Sequence, residues 1–288
     1  MVEPDTVARR RFEGGTRTAR TPTSAHGRKV GALTDGGVLP ERRAAPGRGY
    51  PLHLPVKTLP QPDETTCGPT CLHAIYRYWG EDDTLQEIIE RMWTLEHGGT
   101  YAVFLGCDAL RRGYRARIYT YNITVFDPTW FTQPNIDIAE RLLAQRERKR
   151  DVRIQHATDG YLEFLKRGGR LRLASLSPRL LGGILRCRFP ILTGLSSTYL
   201  YRAARELDVD GTPDDIGGHP VGHFVVIAGW DRVRERVLVV DPQQPNPYGS
   251  SHEYWIGVER VLAAILLGIV THDANLLVIY PPHGTRRR

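Results

Sequence analysis

No stretch of the 288-residue sequence is both long enough and apolar enough to cross a bilayer. The longest apolar run, residues 261–270, is well short of the ~20 residues of a membrane helix and predicts a buried helix instead. Arg9, Arg10 and Arg11 near the start are not followed by an apolar segment, so neither a Sec nor a twin-arginine signal is recognised. We therefore expect a cytoplasmic protein without a membrane span.

Cysteine is also scarce, and its spacing excludes the common cysteine frameworks. The four cysteines are Cys67, Cys71, Cys107 and Cys187. Without an export signal a disulfide framework is not expected, and no C-x-x-C pair of a structural zinc site is present. Cys67 and Cys71 with His73 close by give only a weak indication of metal binding. We expect Cys71, Cys107 and Cys187 to pack as small core residues.

The part of the chain that is expected to fold carries no net positive charge. The net charge is +7, but residues 1–50 carry +5 and residues 286–288 carry +3, which leaves −1 for residues 51–285. Nucleic acid is therefore not expected as a partner, because a binding surface needs its positive charge on the folded part. Residues 1–50 are rich in Arg, Gly, Thr and Pro without periodicity, and they predict a disordered basic tail.

The segment after the tail predicts helices with recognisable ends. A first helix is expected to begin at Cys67, with Thr66 as a cap and Pro69 in the first turn, and to end at Gly80. Thr84 and Glu87 then form a possible capping box for a second helix, which is expected to end near residue 97.

Apolar patterning predicts the remaining elements, with helices first and antiparallel strands later, which favours an α+β fold. The expected helices are 100–112, charged helices within 136–168, 178–186 and 258–268. The expected strands are 116–121, 171–175, 189–195, and 276–280, together with a hairpin of 224–228 and 237–240. Residues 201–219 are expected to form a long loop.

Cys67 is the candidate nucleophile because it stands at the start of a predicted helix. A helix N-terminus next to an imidazolium provides the positive potential that favours a thiolate. Gly68 behind it would leave the entry to the site open and let a backbone N–H approach the substrate. A buried cysteine that merely begins a helix is the alternative.

His223 and Asp241 are the candidate base and orienting carboxylate. His223 follows a glycine at the mouth of an apolar strand, and Asp241 ends the next strand. A hairpin turning at residue 232 would place them opposite each other, within about two residues, so that the carboxylate could hold the imidazole ring. His223 could instead be a structural histidine, and His219 is a rival base.

Gln61 lies six residues before Cys67 and is the candidate oxyanion donor. Its side-chain amide and the backbone N–H of Cys67 could both donate to the developing oxyanion. A polar turn residue is the alternative. Residues 196–199 could line the substrate cleft or form a solvated loop.

Four blocks together resemble the C39 and C39-like cysteine peptidases over residues 54–282. They are Gln61-Pro-Asp-Glu-Thr-Thr-Cys67-Gly-Pro-Thr-Cys-Leu, Gly98-Gly-Thr, Gly222-His-Phe-Val-Val and Val240-Asp-Pro. The resemblance implies a papain-like cysteine peptidase domain over residues 51–285, with the nucleophile helix packed on an antiparallel sheet and without metal or organic cofactor. It assigns Gln61 to the oxyanion hole, Cys67 as nucleophile, His223 as base and Asp241 as orienter.

The sequence also departs from that family. Members that process secreted peptides are usually fused to an ABC transporter, whereas nothing here spans a membrane or binds ATP, and the helical segment 136–168 is a probable insert. We expect a hydrolase that cleaves a peptide or isopeptide bond through a thioester and has a peptide or protein as its substrate. An acyltransferase or transpeptidase with the same triad, or a non-catalytic peptide-binding module, are the alternatives.

Overall fold

The computed structural model describes residues 51–95, 99–271 and 273–282. The predicted tail 1–50, the expected end of the second helix near residue 97 and Gly98 lie outside the described residues. The described strands are β1 (Leu52–His53), β2 (Arg115–Thr120), β3 (Arg170–Arg172), β4 (Ile191–Ser196), β5 (Gly222–Asp231), β6 (Arg236–Val240), β7 (Glu253–Gly257) and β8 (Asn275–Tyr280). The described helices are α1 (Cys67–Trp79), α2 (Leu85–Arg91), α3 (Ala102–Arg111), α4 (Ile138–Arg148), α5 (Val152–Lys166), α6 (Pro178–Arg186), α7 (Ser197–Tyr201) and α8 (Val258–Leu267).

The eight strands form one sheet, so the expected mixture of helix and sheet is confirmed. The strand order is β3-β2-β8-β4-β5-β6-β7, and β1 pairs with β5 outside this path. All pairs are antiparallel except β2–β3, which is parallel. The expectation of a purely antiparallel sheet is therefore wrong at this edge, because the chain between β2 and β3 crosses over through α4 and α5.

Helix α1 begins and ends where the sequence predicts. Gly80 ends it in the left-handed conformation at φ 88°, which glycine adopts without steric cost. Thr66 occupies the cap position, but its side chain does not cap the helix; its hydroxyl donates to the Asp63 carbonyl instead. The prediction of a Thr66 side-chain cap is wrong because this turn already uses the hydroxyl.

The capping box of Thr84 and Glu87 is present at the start of α2, as predicted. The helix is shorter than expected, however, and ends at Arg91. Met92 already has the extended conformation, with φ −80° and ψ 136°, and its side chain is buried in the core. The chain therefore leaves the axis of α2 at Met92, before residue 97.

The hairpin of β5 and β6 has a register two residues away from the predicted one. Val226 pairs with Val240 and Ile227 with Val239, and the register shifts once more between Ile227 and Gly229. A shift of two residues keeps every side chain on its own face of the sheet, whereas a shift of one would reverse it. His223 and Asp241 therefore still share a face.

The helices that matter for the site pack directly on the sheet. Helix α1 contacts β5 and α3, and α3 contacts β2 and β8. Helices α4 and α5 confirm the prediction that residues 136–168 are largely helical. Among the described residues, every helix is too short or too polar to traverse a lipid bilayer.

Candidate active site

Cys67 is the first residue of α1, and its side chain lies at a cavity of about 260 Å³. The residue is buried, with 7% of its surface exposed. Because the first four N–H groups of a helix have no acceptor within the helix, the Cys67 amide remains available to a ligand in the cavity. The partial positive charge of the 13-residue helix also favours an anionic sulfur at this end.

His223, the second residue of β5, lines the same cavity. Its Nε2 donates to Oδ1 of Asp241 at 2.8 Å, and the Cys67 side chain lies close enough to the ring to raise the pKa of His223. Since Nε2 is engaged by the carboxylate, Nδ1 is the nitrogen that faces the sulfur. The structure thus brings Cys67 and His223 to the wall of one cavity, with Asp241 hydrogen-bonded to His223, although the three residues are far apart in sequence.

The charges around His223 favour the protonated, imidazolium form of its ring. Burial by itself lowers the pKa of His223, but the charge and hydrogen bond of Asp241, together with those of Cys67, outweigh it and raise the pKa to about 10. Burial raises the pKa of Asp241, but the charge of His223 and the hydrogen bonds from His223, Tyr254 and Tyr201 hold it below its ordinary value. Both shifts stabilise a charged His223–Asp241 pair.

Asp241 is fully buried and receives four hydrogen bonds. Oδ1 accepts from His223 and from the backbone N–H of Gln243 at 3.0 Å, while Oδ2 accepts from the hydroxyls of Tyr201 and Tyr254 at 2.7 Å each. A buried carboxylate without such donors would be costly. The two tyrosines therefore keep Asp241 ionised and fix its orientation.

The sequence analysis did not identify Tyr201 or Tyr254. Tyr201 falls at the start of the predicted loop, but α7 carries it to the carboxylate. Tyr254 lies in β7, a strand that was not predicted. The sequence signal for that strand is the run Tyr-Trp-Ile, since aromatic and β-branched residues favour strands, and nothing in it points to Asp241.

Gln61 lies beside the same cluster and is tied to it by its backbone. Its N–H donates to the carbonyl of Pro242, next to Asp241, at 2.9 Å. Its side-chain Oε1 is buried and has no hydrogen-bond partner among the described residues. An unpartnered side-chain oxygen is free to accept a hydrogen bond, whereas an oxyanion needs a donor such as the Nε2 group, and Gln61 is not among the described residues that line the cavity.

Gly68 is buried in a close contact between α1, β5 and the segment before α3. A Cβ added at this position would lie 2.7 Å from Cγ2 of Thr100 and 3.3 Å from the ring of Phe224. Residue 68 must therefore be small so that the nucleophile helix can approach its neighbours. The sequence analysis expected glycine here for access to the site, and the packing contact provides a further reason.

Two further predicted site features, the rival base His219 and the candidate cleft residues 196–199, lie outside the cavity at Cys67. The His219 side chain is 68% exposed, lies 3.9 Å from Asp208 and does not line the cavity. The Ser197 hydroxyl donates to the Val221 carbonyl, and the Val221 N–H donates to the Thr198 hydroxyl. Residues 196–199 thus anchor the chain just before Gly222 and do not line this cavity.

A second carboxyl group, Asp273, lines the cavity and was missed by the sequence analysis. It is 5% exposed, its Oδ2 accepts from the Ala102 N–H at the start of α3, and its Oδ1 accepts from the Asn275 side chain. Burial raises the pKa of Asp273 to about 7, and the two hydrogen bonds oppose that rise. No motif surrounds this residue, so only the fold reveals its position.

Comparison with known proteins finds relatives only at the level of structure. No family model and no curated protein sequence matches the chain. The peptidase domain of Streptococcus ComA, a bi-functional ABC transporter, matches with 14% identity and a TM-score of 0.37, covering 79% of this chain and 99% of that chain. A protein described as a C39-like peptidase from Bacillus anthracis matches with 14% identity and a TM-score of 0.42, covering 81% and 99%.

A double glycine motif protease from an AMS/PCAT transporter, in complex with its leader peptide, matches with 13% identity and a TM-score of 0.38, covering 81% and 98%. These neighbours are C39 peptidase domains, the family whose motifs the sequence resembles. With TM-scores below 0.5 they carry no weight for function. What this chain does must be inferred from its own side chains.

The structure gives no support to the weak metal signal of Cys67, Cys71 and His73. The Cys71 thiol donates to the Phe224 carbonyl at 3.2 Å, and burial raises its pKa well above the ordinary value. Burial and the neighbouring Arg77 lower the pKa of His73. Within residues 51–95, 99–271 and 273–282 no three His, Cys, Asp or Glu side chains are grouped to hold a metal ion.

Proposed function

We propose that this protein is a cysteine peptidase of papain-like layout that cleaves a peptide or isopeptide bond through a thioester. The observation that carries the proposal is the chain of neighbouring side chains from Cys67 and His223, which line one cavity, to Asp241, which is hydrogen-bonded to His223. Such a chain provides a nucleophile, a proton carrier and a group that orients the carrier. Cys71 differs from Cys67, because its fully buried thiol donates to the Phe224 carbonyl and burial raises its pKa well above the ordinary value.

In the first step the Cys67 thiolate attacks the carbonyl carbon of the substrate, and a carbon–sulfur bond forms. The Cys67 N–H and the Gln61 side-chain amide donate to the oxygen that becomes negative. His223 enters this step as the imidazolium favoured by Asp241 and transfers its Nδ1 proton to the leaving amine as the carbon–nitrogen bond breaks.

The second step releases the acyl group from the sulfur. His223, now neutral, accepts a proton from water, and the resulting hydroxide attacks the thioester carbonyl. The carbon–sulfur bond breaks, a carboxylic acid leaves, and the thiolate–imidazolium pair is restored. Asp241 holds the ring in place throughout, since Tyr201 and Tyr254 fix the carboxylate from behind.

We further propose that residues 51–285 form the peptidase domain and that 136–168 is an insert in it. Two observations support the insert: α4 and α5 connect β2 with the edge strand β3, and neither helix lines the cavity at Cys67. The proposed substrate is a peptide or protein. The basic residues 1–50 lie outside the proposed peptidase domain.

The test of the proposal is selective reaction and loss of function at Cys67. We expect iodoacetamide to add one group at Cys67 in the native protein, and Cys67→Ala to abolish cleavage of peptides selected from a library while the Tm changes little. Cys187→Ala is the matched control, because Cys187 is half-buried at the end of α6 and lies outside the cavity. Undiminished cleavage by the Cys67→Ala protein would refute the proposal.

Product analysis separates hydrolysis from acyl transfer. Mass spectrometry of the products with added amine acceptors reports a free acid if water is the acceptor and an amide if the amine is. We expect the free acid.

A further inference from the structure

The cavity at Cys67 has two carboxyl groups in its lining, and His223, which is paired with Asp241, is the basic side chain among its described lining residues. Its lining includes Asp273 and Glu64, and among the described residues no Lys or Arg lines it. The mechanism proposed above uses neither carboxyl group. Glu64 is exposed at the cavity mouth, near Glu206, whose pKa is raised by burial and by the charge of Glu64.

Asp273 is held at the wall by the backbone around it. Its carboxyl carbon lies 3.2 Å from the point where a side chain on Gly194 would place its Cβ. Gly194 also lines the cavity, so the absence of a side chain there leaves space that the carboxyl group occupies. The carboxyl position is thus set by β4, by the start of α3 and by Asn275.

The hydrogen-bonding capacity of Asp273 is only partly used. An ionised carboxylate can accept about four hydrogen bonds, and the described residues provide two, from the Ala102 N–H and the Asn275 side chain. No ion pair with Asp273 exists within the described part of the chain. A buried carboxylate without a counter-charge is costly, and it avoids that cost either by taking up a proton or by pairing with a positively charged ligand.

We propose that Asp273 forms a subsite for a cationic side chain of the substrate, lysine or arginine, within two residues of the scissile carbonyl. Glu64 at the mouth attracts the same charge. This inference rests on the proposed function, because it places the subsite relative to Cys67 as nucleophile. It assigns to Asp273 a role in substrate selection, separate from the proton transfers of His223.

The test compares chloromethyl ketone dipeptides that carry lysine at the first or the second residue from the ketone. Matched compounds carry norleucine, which lacks the ammonium group, at the same position. In each case the Cys67 sulfur displaces chloride, a carbon–sulfur bond forms and the carbon–chlorine bond breaks. The second-order rate constant is measured by intact mass, and peptide mapping locates the adduct.

For the wild-type protein we expect the lysine compound to react at least about tenfold faster than its norleucine counterpart at one of the two positions, as expected for a charged hydrogen bond. In Asp273→Asn the ratio of the lysine rate to the norleucine rate, both measured on that variant, should fall to about one. Glu64→Gln should lower the ratio only a few-fold, because exposed charges interact weakly. Asp215→Asn removes an exposed carboxylate outside the cavity and should leave the ratio unchanged.

Equal rates for lysine and norleucine at both positions in the wild-type protein would overturn the subsite, and this comparison does not depend on the folding of any variant. An Asp273→Asn protein with normal Tm and an unchanged ratio would overturn it as well. If neither the ketones nor iodoacetamide react at Cys67, the proposed function itself fails and the subsite fails with it. Selective iodoacetamide labelling with equal ketone rates refutes the subsite alone.

Discussion

The ionisation of His223 depends mainly on one neighbouring residue, Asp241. Asp241 is fully buried and its carboxylate is the main cause that raises the pKa of His223 against the effect of burial. The sequence placed these two residues on the same hairpin and on the same face, which the structure bears out geometrically. It could not reveal Tyr201 and Tyr254, because their contact with Asp241 depends on how α7 and β7 pack.

Replacement of Asp241 tests this dependence. In Asp241→Asn the negative charge that favours the imidazolium is lost, so the pKa of His223 should fall by about 1 to 3 units. The protonated form would then disappear at lower pH, and the alkaline limb of the kcat/KM profile should move in the same direction. NMR titration of the His223 ring, assigned with His223→Gln, measures the shift.

Asp208→Asn is the control for that titration, because Asp208 lies near the exposed His219 and not near His223. It should leave the titration of His223 unchanged. An Asp241→Asn protein whose His223 titrates as in the wild type would contradict the electrostatic interpretation.

At the scale of elements, α1 is the best predicted part of the chain. Its start, its length and its end at Gly80 follow from local sequence, since glycine at a C-terminus and an apolar stripe act within one helix. The position of α1 against its neighbours is not local information. It depends on Gly68, which lies between Thr100 and Phe224.

Adding a methyl group at Gly68 should displace α1. The Cβ of Gly68→Ala would meet Cγ2 of Thr100 at 2.7 Å, and we expect a loss of about 1 to 3 kcal/mol in the free energy of unfolding and slower alkylation of Cys67. Urea denaturation and the iodoacetamide rate measure the two effects.

Thr100→Ser is the matched partner of that substitution. Serine lacks Cγ2 but keeps the hydroxyl that donates to the Trp93 carbonyl, so the double variant should recover part of the lost stability. A Gly68→Ala protein as stable as the wild type, or a double variant no more stable than Gly68→Ala, would show that this contact does not limit the approach of α1.

At the scale of the described fold, the candidate site depends on the whole sheet. Cys67 comes from α1, His223 from β5, and Asp241 follows β6, while Tyr254 comes from β7. Because α1 packs on β5 and β4, and β5 pairs with β6, the site cannot persist without the sheet.

The site and the fold should therefore unfold together. Cys71 is fully buried. In the Cys67→Ala variant, iodoacetamide should therefore alkylate Cys71 only when urea unfolds the protein. We expect this transition and the far-UV circular dichroism transition to coincide. Alkylation of Cys71 at urea concentrations where the circular dichroism is still native would contradict a single cooperative unit.

The sequence by itself determined the features that depend on near neighbours along the chain: the ends of α1, the capping box at Thr84, the helices within residues 136–168 and the motif blocks around Cys67 and His223. Such features are encoded by short-range hydrogen bonds and by apolar periodicity. The roles of Gln61, Cys67, His223 and Asp241, the tail 1–50, the cytoplasmic location and the absence of nucleic acid and cofactor stay predictions.

Only the tertiary structure decided the register of the hairpin, the parallel pair at the sheet edge, the tyrosines behind Asp241 and the carboxyl group of Asp273 in the cavity. Each of these depends on contacts between residues distant in sequence, for example Asp273 with Ala102 and Gly194. Side-chain patterns do not encode such contacts, because the packing of whole elements selects the partners. The proposed subsite is therefore a property of the assembled fold.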